Sequence, residues 1–272
     1  MSDPCQTVIS DLENHSSRLN KEQILEAEAE ANNQELFEGI RFCLDNLTTF
    51  GVKKVPTHGG PDGQGLPWVA FKELCNLLST RQLTGDDART AIELALSAST
   101  KRQWNDWYRR ILIKDLRCGA SEKTVNKVVE KRWPHFSVPV FSCQLAHDSA
   151  NHESKVTGNK LIEVKLDGVR VITVVYPDGK VDQYSRNGKE LHNFKTIMDE
   201  IAKMGYMLNE PVVLDGEIMS ANFQDLMKQA RRKENAQTQD AVLNLFDMLS
   251  LDEFKAGVGA YPQSDRSALL SN

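Results

Sequence analysis

The sequence predicts an α+β fold, in which a helical N-terminal half precedes a second half made mostly of antiparallel strands. Apolar residues recur at helical spacing up to about residue 133. From about residue 140 onward, short runs rich in β-branched residues alternate with turn signals. Pro134 and Pro139 mark the change. We therefore expect two domains, at residues 1–136 and 140–272, and 272 residues are enough for both.

The N-terminal half is expected to consist of helices joined by turns. Residues 21–50 show helical spacing, and a loop rich in glycine follows at 57–67. The further predicted helices are Val69–Ser79, Asp86–Ala98, Gln103–Arg117 and Ser121 to about Trp133. In the Gln103–Arg117 helix, the spacing predicts a stripe of core residues: Trp104, Trp107, Tyr108, Ile111 and Leu112.

The net charge of -5 is unevenly distributed, since the first fifty residues are acidic and residues 101–132 are basic. Gly119 is expected to end one helix and Ser121 to cap the next, which gives a corner flanked by cations. Such a corner is a candidate binding site for the phosphates of a nucleic-acid backbone. An ordinary helix pair with a solvated outer face would show the same pattern. The candidate phosphate-contacting residues, expected to face solvent, are Arg109, Arg110, Lys114 and Lys127, with Arg117 beside them.

The five cysteines lie far apart without a C-x-x-C pair, so we expect neither a zinc site nor a disulfide framework. No apolar run has the length of a membrane span, and the N-terminus lacks the pattern of a secretory signal. A cytoplasmic protein without membrane contact is expected.

The second half is expected to contain six strands and two helices. The predicted strands cover 140–145, 161–166, 169–176, 181–184, 212–219 and 241–249, and the predicted helices cover 193–204 and 222–233. A Pro-Asp-Gly turn at 177–179 joins two of the strands as a hairpin.

Lys165 is the first candidate for chemistry in this half. It lies in a predicted strand that ends in an Asp-Gly turn, where alternation places Glu163 and Lys165 on one face and Ile162 and Val164 in the core. A lysine beside a carboxylate at the end of a strand can act as a covalent nucleophile. A surface lysine on an edge strand is the alternative.

Three further segments add candidate residues. An S-R-N-G turn at 185–188 presents Arg186. Asp215 and Glu217 share one face of a mostly buried strand. Burying two carboxylates side by side costs free energy unless they contact cations, hydroxyls or a metal. Phe246 faces away from the leucines beside it, where a base could stack on the ring; a core phenylalanine is the alternative.

In order and spacing, these four segments resemble the nucleotidyltransferase motifs of ATP-dependent DNA ligases. The segments are K-L-D-G-V-R at 165–170, S-R-N-G at 185–188, L-D-G-E at 214–217 and L-F-D at 245–247. The N-terminal half is similar to the helical DNA-binding domain of T-even phage DNA ligases. The similar segments there are T-R-Q-L-T-G at 80–85, D-L-R-C-G-A-S at 115–121 and N-K-V at 126–128. The resemblance covers about residues 70–270.

The resemblance implies an all-helical DNA-binding domain followed by an antiparallel-rich nucleotidyltransferase domain of ATP-grasp-like fold. It implies that Lys165 attacks the α-phosphate of ATP to give a lysyl-adenylate, with Mg²⁺ as a cofactor whose protein ligands are not assigned. The nucleotide-binding residues implied are Glu163 at the adenine amino group, Arg170 at the ribose or phosphate, Glu217 at the ribose hydroxyls and Phe246 stacked on adenine.

The partner that the resemblance implies is nicked duplex DNA, with Arg186 at the 5′-phosphate of the nick. The DNA-binding set in the helical half would again be Arg109, Arg110, Lys114 and Lys127. We expect a monomer, with a sliding clamp as a candidate partner, in the cytoplasm or, for a viral protein, in the host-cell cytoplasm.

After the L-F-D segment, the sequence departs from the family pattern. No E-G-[apolar]-[apolar]-x-K motif, no K-x-K strand and no β-barrel (OB) domain follows. We therefore expect a nucleotidyltransferase domain that is incomplete at its C-terminus and slow or unable to self-adenylate. The alternatives are an RNA ligase or mRNA-capping guanylyltransferase, a non-catalytic DNA-binding or partner-binding protein, and a generic α+β domain with accidental motifs.

Overall fold

The computed structural model describes residues 4–52, 54–160, 162–220 and 241–271. The chain divides into two compact units, Met1–Val140 and Phe141–Asn272, which we call unit 1 and unit 2. The predicted mixture of helices and an antiparallel sheet is confirmed. In the described ranges, no helix is both long enough and apolar enough to cross a bilayer.

The regular elements described in unit 1 are helices. In chain order they are α1 (Cys5–Asn14), α2 (Arg18–Glu30), α3 (Gln34–Leu44), α4 (Trp68–Ser79), α5 (Gly85–Ala98), α6 (Lys101–Gln103), a π-helical turn (Trp104–Tyr108), α7 (Arg109–Leu112), α8 (Glu122–Val129) and a 3-10 turn (Pro134–Phe136). The side chain of Asn33 caps α3 by accepting a hydrogen bond from the Leu36 amide at 3.2 Å.

The core of unit 1 is built around the predicted apolar stripe, and every residue of that stripe is buried. The Tyr108 ring stacks on Phe71, with 3.9 Å between ring centroids, and Trp107 stacks on Trp68 at 6.2 Å. The sequence-based assignment of this stripe to the core is therefore confirmed.

The helical segment that begins at Lys101 ends at Leu112, earlier than the predicted end at Arg117. Lys114 has a φ of 59°, in the left-handed region that terminates helices. The Lys114 amide donates to the Ile111 carbonyl and the Asp115 amide to the Arg110 carbonyl, both at 3.0 Å. These two bonds satisfy carbonyls at the helix end, so the chain turns away before Arg117.

Unit 2 contains one sheet and three α-helices in its described part. The elements are two 3-10 turns (Ser149–Asn151 and Glu153–Lys155), β1 (Val169–Val175), β2 (Val181–Ser185), β3 (Glu190–Leu191), α9 (Lys195–Gly205), β4 (Val212–Met219), β5 (Val242–Ser250), α10 (Leu251–Ala256) and α11 (Gln263–Leu270). The predicted strands at 169–176, 181–184, 212–219 and 241–249 and the helix at 193–204 are confirmed to within two residues.

The five described strands form an antiparallel sheet in the order β3-β2-β1-β4-β5. One face packs on α9 in an apolar core that includes Val171, Leu214 and Ile218, together with Ile197 and Ile201 of the helix. The opposite face presents Arg170, Asp215 and Glu217, because residues two apart on a strand share a face. That opposite face is where the candidate site is built.

Two predicted strands are wrong. Residues 140–145 form no strand, and neither do residues 162–166, the described part of the strand predicted at 161–166. Ile162 and Val164, which were expected in the core, are 92% and 84% exposed. A strand needs a hydrogen-bonded neighbour. Neither segment pairs with any of the described strands. The helix predicted over 222–233 lies outside the described residues.

Candidate active site

Arg170 and Asp215 form a two-bond ion pair on the open face of the sheet. Arg170 Nε donates to Asp215 Oδ1 at 2.7 Å, and a terminal guanidinium nitrogen donates to Oδ2 at 2.6 Å. The side chains are 22% and 15% exposed. Burial raises the pKa of Asp215 while Arg170 opposes that rise, and the bond to Asp215 raises the pKa of Arg170. Arg170, an implied nucleotide contact, is therefore held by a carboxylate of the protein.

Phe246 lies on the same face, as its alternation with Leu245 predicts, and it occupies a bulge in β5. Asp215 pairs with Asp247 and Gly216 pairs with Leu245, so Phe246 is an extra residue with no partner in the register. The Arg170 guanidinium carbon lies 4.9 Å from the centre of the Phe246 ring. The implied base-stacking ring thus lies next to Arg170, and the bulge brings Asp247 opposite Asp215 on the same face.

Glu217 belongs to the same group of side chains, since it lies opposite Arg170 in the pairing of β4 with β1. Its Oε1 accepts a hydrogen bond from the Gly168 amide at 3.0 Å. A Cβ at Gly168 would lie 2.2 Å from the Ile218 carbonyl oxygen, so the close approach requires glycine. Glu217 therefore ties the Asp-Gly turn that follows Lys165 to the β4 strand.

Lys165 and Glu163 lie in the irregular segment before β1, and both side chains are exposed. The contacts that hold Arg170, Glu217 and Phe246 together include neither of them. The chain places Lys165 near this group only through its short link to Gly168.

Arg186 is exposed in a tight turn that the sequence predicted. The Gly188 amide donates to the Ser185 carbonyl, and the Ser185 amide donates to the Lys189 carbonyl, both at 2.8 Å. The Arg186 carbonyl accepts a weak hydrogen bond from Cys143 Sγ at 3.6 Å. Arg186 therefore lies at the border of the same face, beside Cys143.

Cys143 is a site residue that the sequence did not single out. Burial raises the pKa of its thiol, Arg170 and Arg186 lower it, and Asp215 raises it further. The thiol thus lies within electrostatic range of three candidate groups. A lone cysteine has no sequence signal that could have placed it there.

A cavity of about 490 Å³ extends along β4 and β5 from this group. Its lining includes Cys143, Asp215, Asp247, Phe254, Val258 and Arg266. Arg266 pairs with Asp247, with Nε at 2.7 Å from Oδ1 and a terminal nitrogen at 2.9 Å from Oδ2. The sequence left both of these residues unassigned, although Asp247 lies within the L-F-D segment.

No group of three His, Cys, Asp or Glu side chains suited to a metal ion is found in the residues that the structure describes. Asp215 is committed to Arg170, and Asp247 is committed to Arg266. The described carboxylates on this face therefore do not form a cage for Mg²⁺.

In unit 1, the expectation that the cations of the Gln103–Arg117 segment face solvent is wrong for Arg110. This residue is 9% exposed, and its guanidinium donates to Glu13 at 2.7 Å and to the Leu116 carbonyl at 2.9 Å. Lys114 Nζ is also turned inward, since it donates to the Phe42 carbonyl at 2.8 Å and the Asp45 carbonyl at 2.6 Å.

Arg109 is half-buried, with its Nε donating to the Val55 carbonyl at 3.1 Å. Lys127 is exposed and forms an ion pair with Glu22 at 2.6 Å. The turn at Lys114 brings the Leu116 carbonyl within reach of Arg110. Of the four predicted DNA contacts, Lys127 is the one fully at the surface.

The corner at Gly119 and Ser121 borders a concave basic surface, as the sequence pattern suggested. A cavity of about 290 Å³ is lined there by Ser16, Arg18, Lys21, Gly119, Ser121, Lys123 and Thr124, and we call it the corner cavity. Lys21 is held by a hydrogen bond from its Nζ to the Cys118 carbonyl at 2.5 Å. Arg18 and Lys123 were not among the predicted contacts, although Lys123 lies beside Ser121.

Comparison with known proteins identifies the family. The family model for the ATP dependent DNA ligase domain matches residues 143–272, which is nearly all of unit 2. Unit 2 therefore belongs to the ATP-dependent DNA ligase domain family, and the ligases of this family are enzymes.

The relationship extends to ligases of the T4 type. The chain is 26% identical over 226 residues to the DNA ligase of Enterobacteria phage T4, covering 78% of this chain and 44% of that ligase. It is 31% identical over 109 residues to the DNA ligase of Ignicoccus hospitalis, covering 36% of this chain and 18% of that ligase. The chain thus spans less than half the length of the curated relatives it matches.

A solved structure called Pmar-Lig_Pre matches over both units. It is 50% identical in sequence, and the alignment covers 99% of this chain and 62% of that chain with a TM-score of 0.57. The accidental-motif alternative is therefore excluded.

Proposed function

We propose that unit 2 adenylates itself with ATP and that Lys165 is the nucleophile. The observation that supports this most strongly is the cluster of Arg170, Glu217 and Phe246 on one face, with Glu217 bonded to the turn that follows Lys165. Adenine would stack on Phe246, the ribose would lie by Glu217, and Glu163 would accept a hydrogen bond from the adenine amino group.

The covalent step follows from the chemistry of a neutral amine. Lys165 Nζ loses a proton and attacks the α-phosphorus, an N–P bond forms, and the bond from that phosphorus to the bridging oxygen breaks as pyrophosphate leaves. The described residues supply no metal cage, which fits a Mg²⁺ ion that is bound mainly by phosphates and water.

We propose nicked duplex DNA as the partner of the complete reaction. AMP would pass from Lys165 to the 5′-phosphate at the nick, near Arg186, and the 3′-hydroxyl would then displace AMP to seal the strand. The corner cavity of unit 1, with Arg18 and Lys123 at its edge and Lys127 on the same helix as Lys123, would contact backbone phosphates. This set replaces the inward-facing Arg110 and Lys114.

The test is incubation of the full chain with α-labelled ATP and Mg²⁺, followed by a denaturing gel. Label should stay on the wild-type band and be lost in Lys165→Ala. Lys160→Ala is the matched control, because Lys160 is an exposed lysine of the same irregular segment, and this variant should label like the wild type.

Three results would contradict the proposal or redirect it. Folded wild-type protein without label would favour a protein that only binds DNA. Label that persists in Lys165→Ala would assign the nucleophile to another residue. A preference for labelled GTP over ATP would indicate capping-type chemistry.

A further inference from the structure

We propose that Gln263 and Arg266 of α11 are positioning residues that hold the β5 bulge, and thereby the Phe246 ring, in the orientation that receives the base of ATP. This inference rests on the proposed function, since it assumes that Phe246 stacks on the base. It assigns a role to a helix that no sequence motif marked.

The first contact is the ion pair between Arg266 and Asp247. Asp247 follows Phe246 directly and resumes the strand register opposite Asp215. Arg266 holds this carboxylate with two hydrogen bonds, at 2.7 and 2.9 Å, and both side chains are largely buried. A bidentate arginine fixes the orientation of a carboxylate as well as its position. Arg266 therefore fixes the backbone on one side of the bulged residue.

The second contact satisfies the bulged residue itself. Gln263 Nε2 donates to the Phe246 carbonyl at 3.0 Å, and Gln263 Oε1 accepts from Arg266 at 2.6 Å. A bulged residue lies outside the ladder pairing, so its backbone groups need partners from elsewhere. Gln263 supplies one, and Arg266 holds the Gln263 amide in the orientation that presents its NH₂ group to Phe246.

The two arginine–aspartate pairs also depend on each other. Asp215 and Asp247 are neighbours across β4 and β5, and the Asp247 charge raises the pKa of Asp215. If Arg266 is removed, the Asp247 carboxylate loses its cation and lies unbalanced beside Asp215. Asp247 then competes with Asp215 for Arg170. Because the Arg170 guanidinium lies over the Phe246 ring, a change at Arg266 would reach the ring through Arg170 as well as through the backbone of the bulge.

The test is a double-mutant cycle in the full chain, with Gln263→Leu and Phe246→Leu. Gln263→Leu removes the amide at nearly constant size, and we expect about a tenfold increase in the KM for ATP in self-adenylation with kcat nearly unchanged. In the Phe246→Leu background the same change should alter the KM less than twofold, because no ring remains to be positioned. Inhibition by inorganic triphosphate, which has no base, should be unaffected.

Two further variants separate positioning from folding. Arg266→Lys keeps the charge but loses the two-bond geometry, and it should raise the KM for ATP as Gln263→Leu does. Ser264→Ala, at an exposed position of the same helix, is the control and should behave as the wild type. Thermal melting of each variant should show one cooperative transition.

The outcomes distinguish this inference from the function on which it rests. If the wild type labels but the effects of Gln263→Leu and Phe246→Leu are additive, or triphosphate inhibition weakens equally, the positioning role is wrong and the proposed function stands. If the wild type binds ATP without labelling, the dissociation constant for ATP, measured by calorimetry, replaces the KM in the same double-mutant cycle. Additive changes in that constant would then overturn the positioning role, and non-additive changes would support it. If the wild type neither labels nor binds ATP, the proposed function and this inference are both overturned.

Discussion

Asp215 and Asp247 lie directly opposite each other on β4 and β5, and each carboxylate is bound by a different arginine. Without their arginines, two adjacent and largely buried carboxylates would repel each other and lose solvation. The open face of the sheet is thus stabilised by two parallel ion pairs, Arg170–Asp215 and Arg266–Asp247, that flank the Phe246 bulge.

Arg170→Met should lower the free energy of unfolding by about 1.5–3 kcal/mol at pH 7, because it leaves Asp215 unpaired beside Asp247. Burial already raises the pKa of Asp215, and loss of Arg170 raises it further. A carboxyl whose pKa is higher in the folded state destabilises the fold once it ionises, so the deficit should shrink as the pH falls through the raised pKa.

Urea denaturation of Arg170→Met and of the wild type from pH 7 to pH 4 measures this deficit. Lys195→Met is the control, since it removes an exposed i,i+4 pair with Asp199 and should cost no more than about 0.5 kcal/mol. A deficit that grows toward acid pH would show that Asp215 is not the residue responsible.

Glu217→Ala should loosen the turn that follows Lys165, because the Gly168 amide loses its carboxylate acceptor. We expect the Gly168 amide to exchange with deuterium at least about tenfold faster and the rate of self-adenylation to fall by about 10–100-fold. Glu217→Gln keeps an acceptor oxygen and should retain slow exchange. Equal exchange in Glu217→Ala and the wild type would mean that the bond does not order the turn.

Gly39→Ala in α3 should destabilise unit 1, although alanine favours helices over glycine by about 1 kcal/mol. The added Cβ would lie 2.3 Å from Cζ2 of Trp107, whose ring is fully buried and cannot move aside. Overpacking of this kind costs about 1–3 kcal/mol, which exceeds the helix preference or cancels it. Gly59→Ala, where a Cβ meets nothing within 4 Å, should leave the midpoint of thermal unfolding unchanged. A higher midpoint for Gly39→Ala would refute the packing argument.

The double variant Arg18→Ala, Lys123→Ala should weaken DNA binding and reduce its salt dependence. Each phosphate contact contributes about -0.9 to the slope of log K against log salt, so the slope should flatten by about 2 units. Fluorescence anisotropy with nicked duplex DNA at several salt concentrations measures it. Arg89→Ala, an exposed arginine outside the corner cavity, is the control. An unchanged slope in the double variant would mean that the corner cavity does not contact phosphates.

The sequence by itself determined those features that depend on neighbours along the chain. Alternation predicted β4 at Val212–Met219, helical spacing predicted the buried stripe from Trp104 to Leu112, and Asn-Gly predicted the turn after Arg186. The order and spacing of four short segments were also sufficient to indicate the ligase family, which the family model confirms. These signals are local, because each arises from residues a few positions apart.

The tertiary structure alone decided the features that depend on pairing between distant segments. The Lys165 segment alternates like a strand but is not one, because it pairs with none of the described strands. Arg110 and Lys114 belong to a basic stretch but turn inward to distant acceptors such as Glu13 and the Asp45 carbonyl. Asp247 lies opposite Asp215, on the same face as Phe246, because of a bulge in the pairing of β4 with β5. A bulge and an inward-turned cation are properties of two segments in contact, so one segment's sequence cannot specify them.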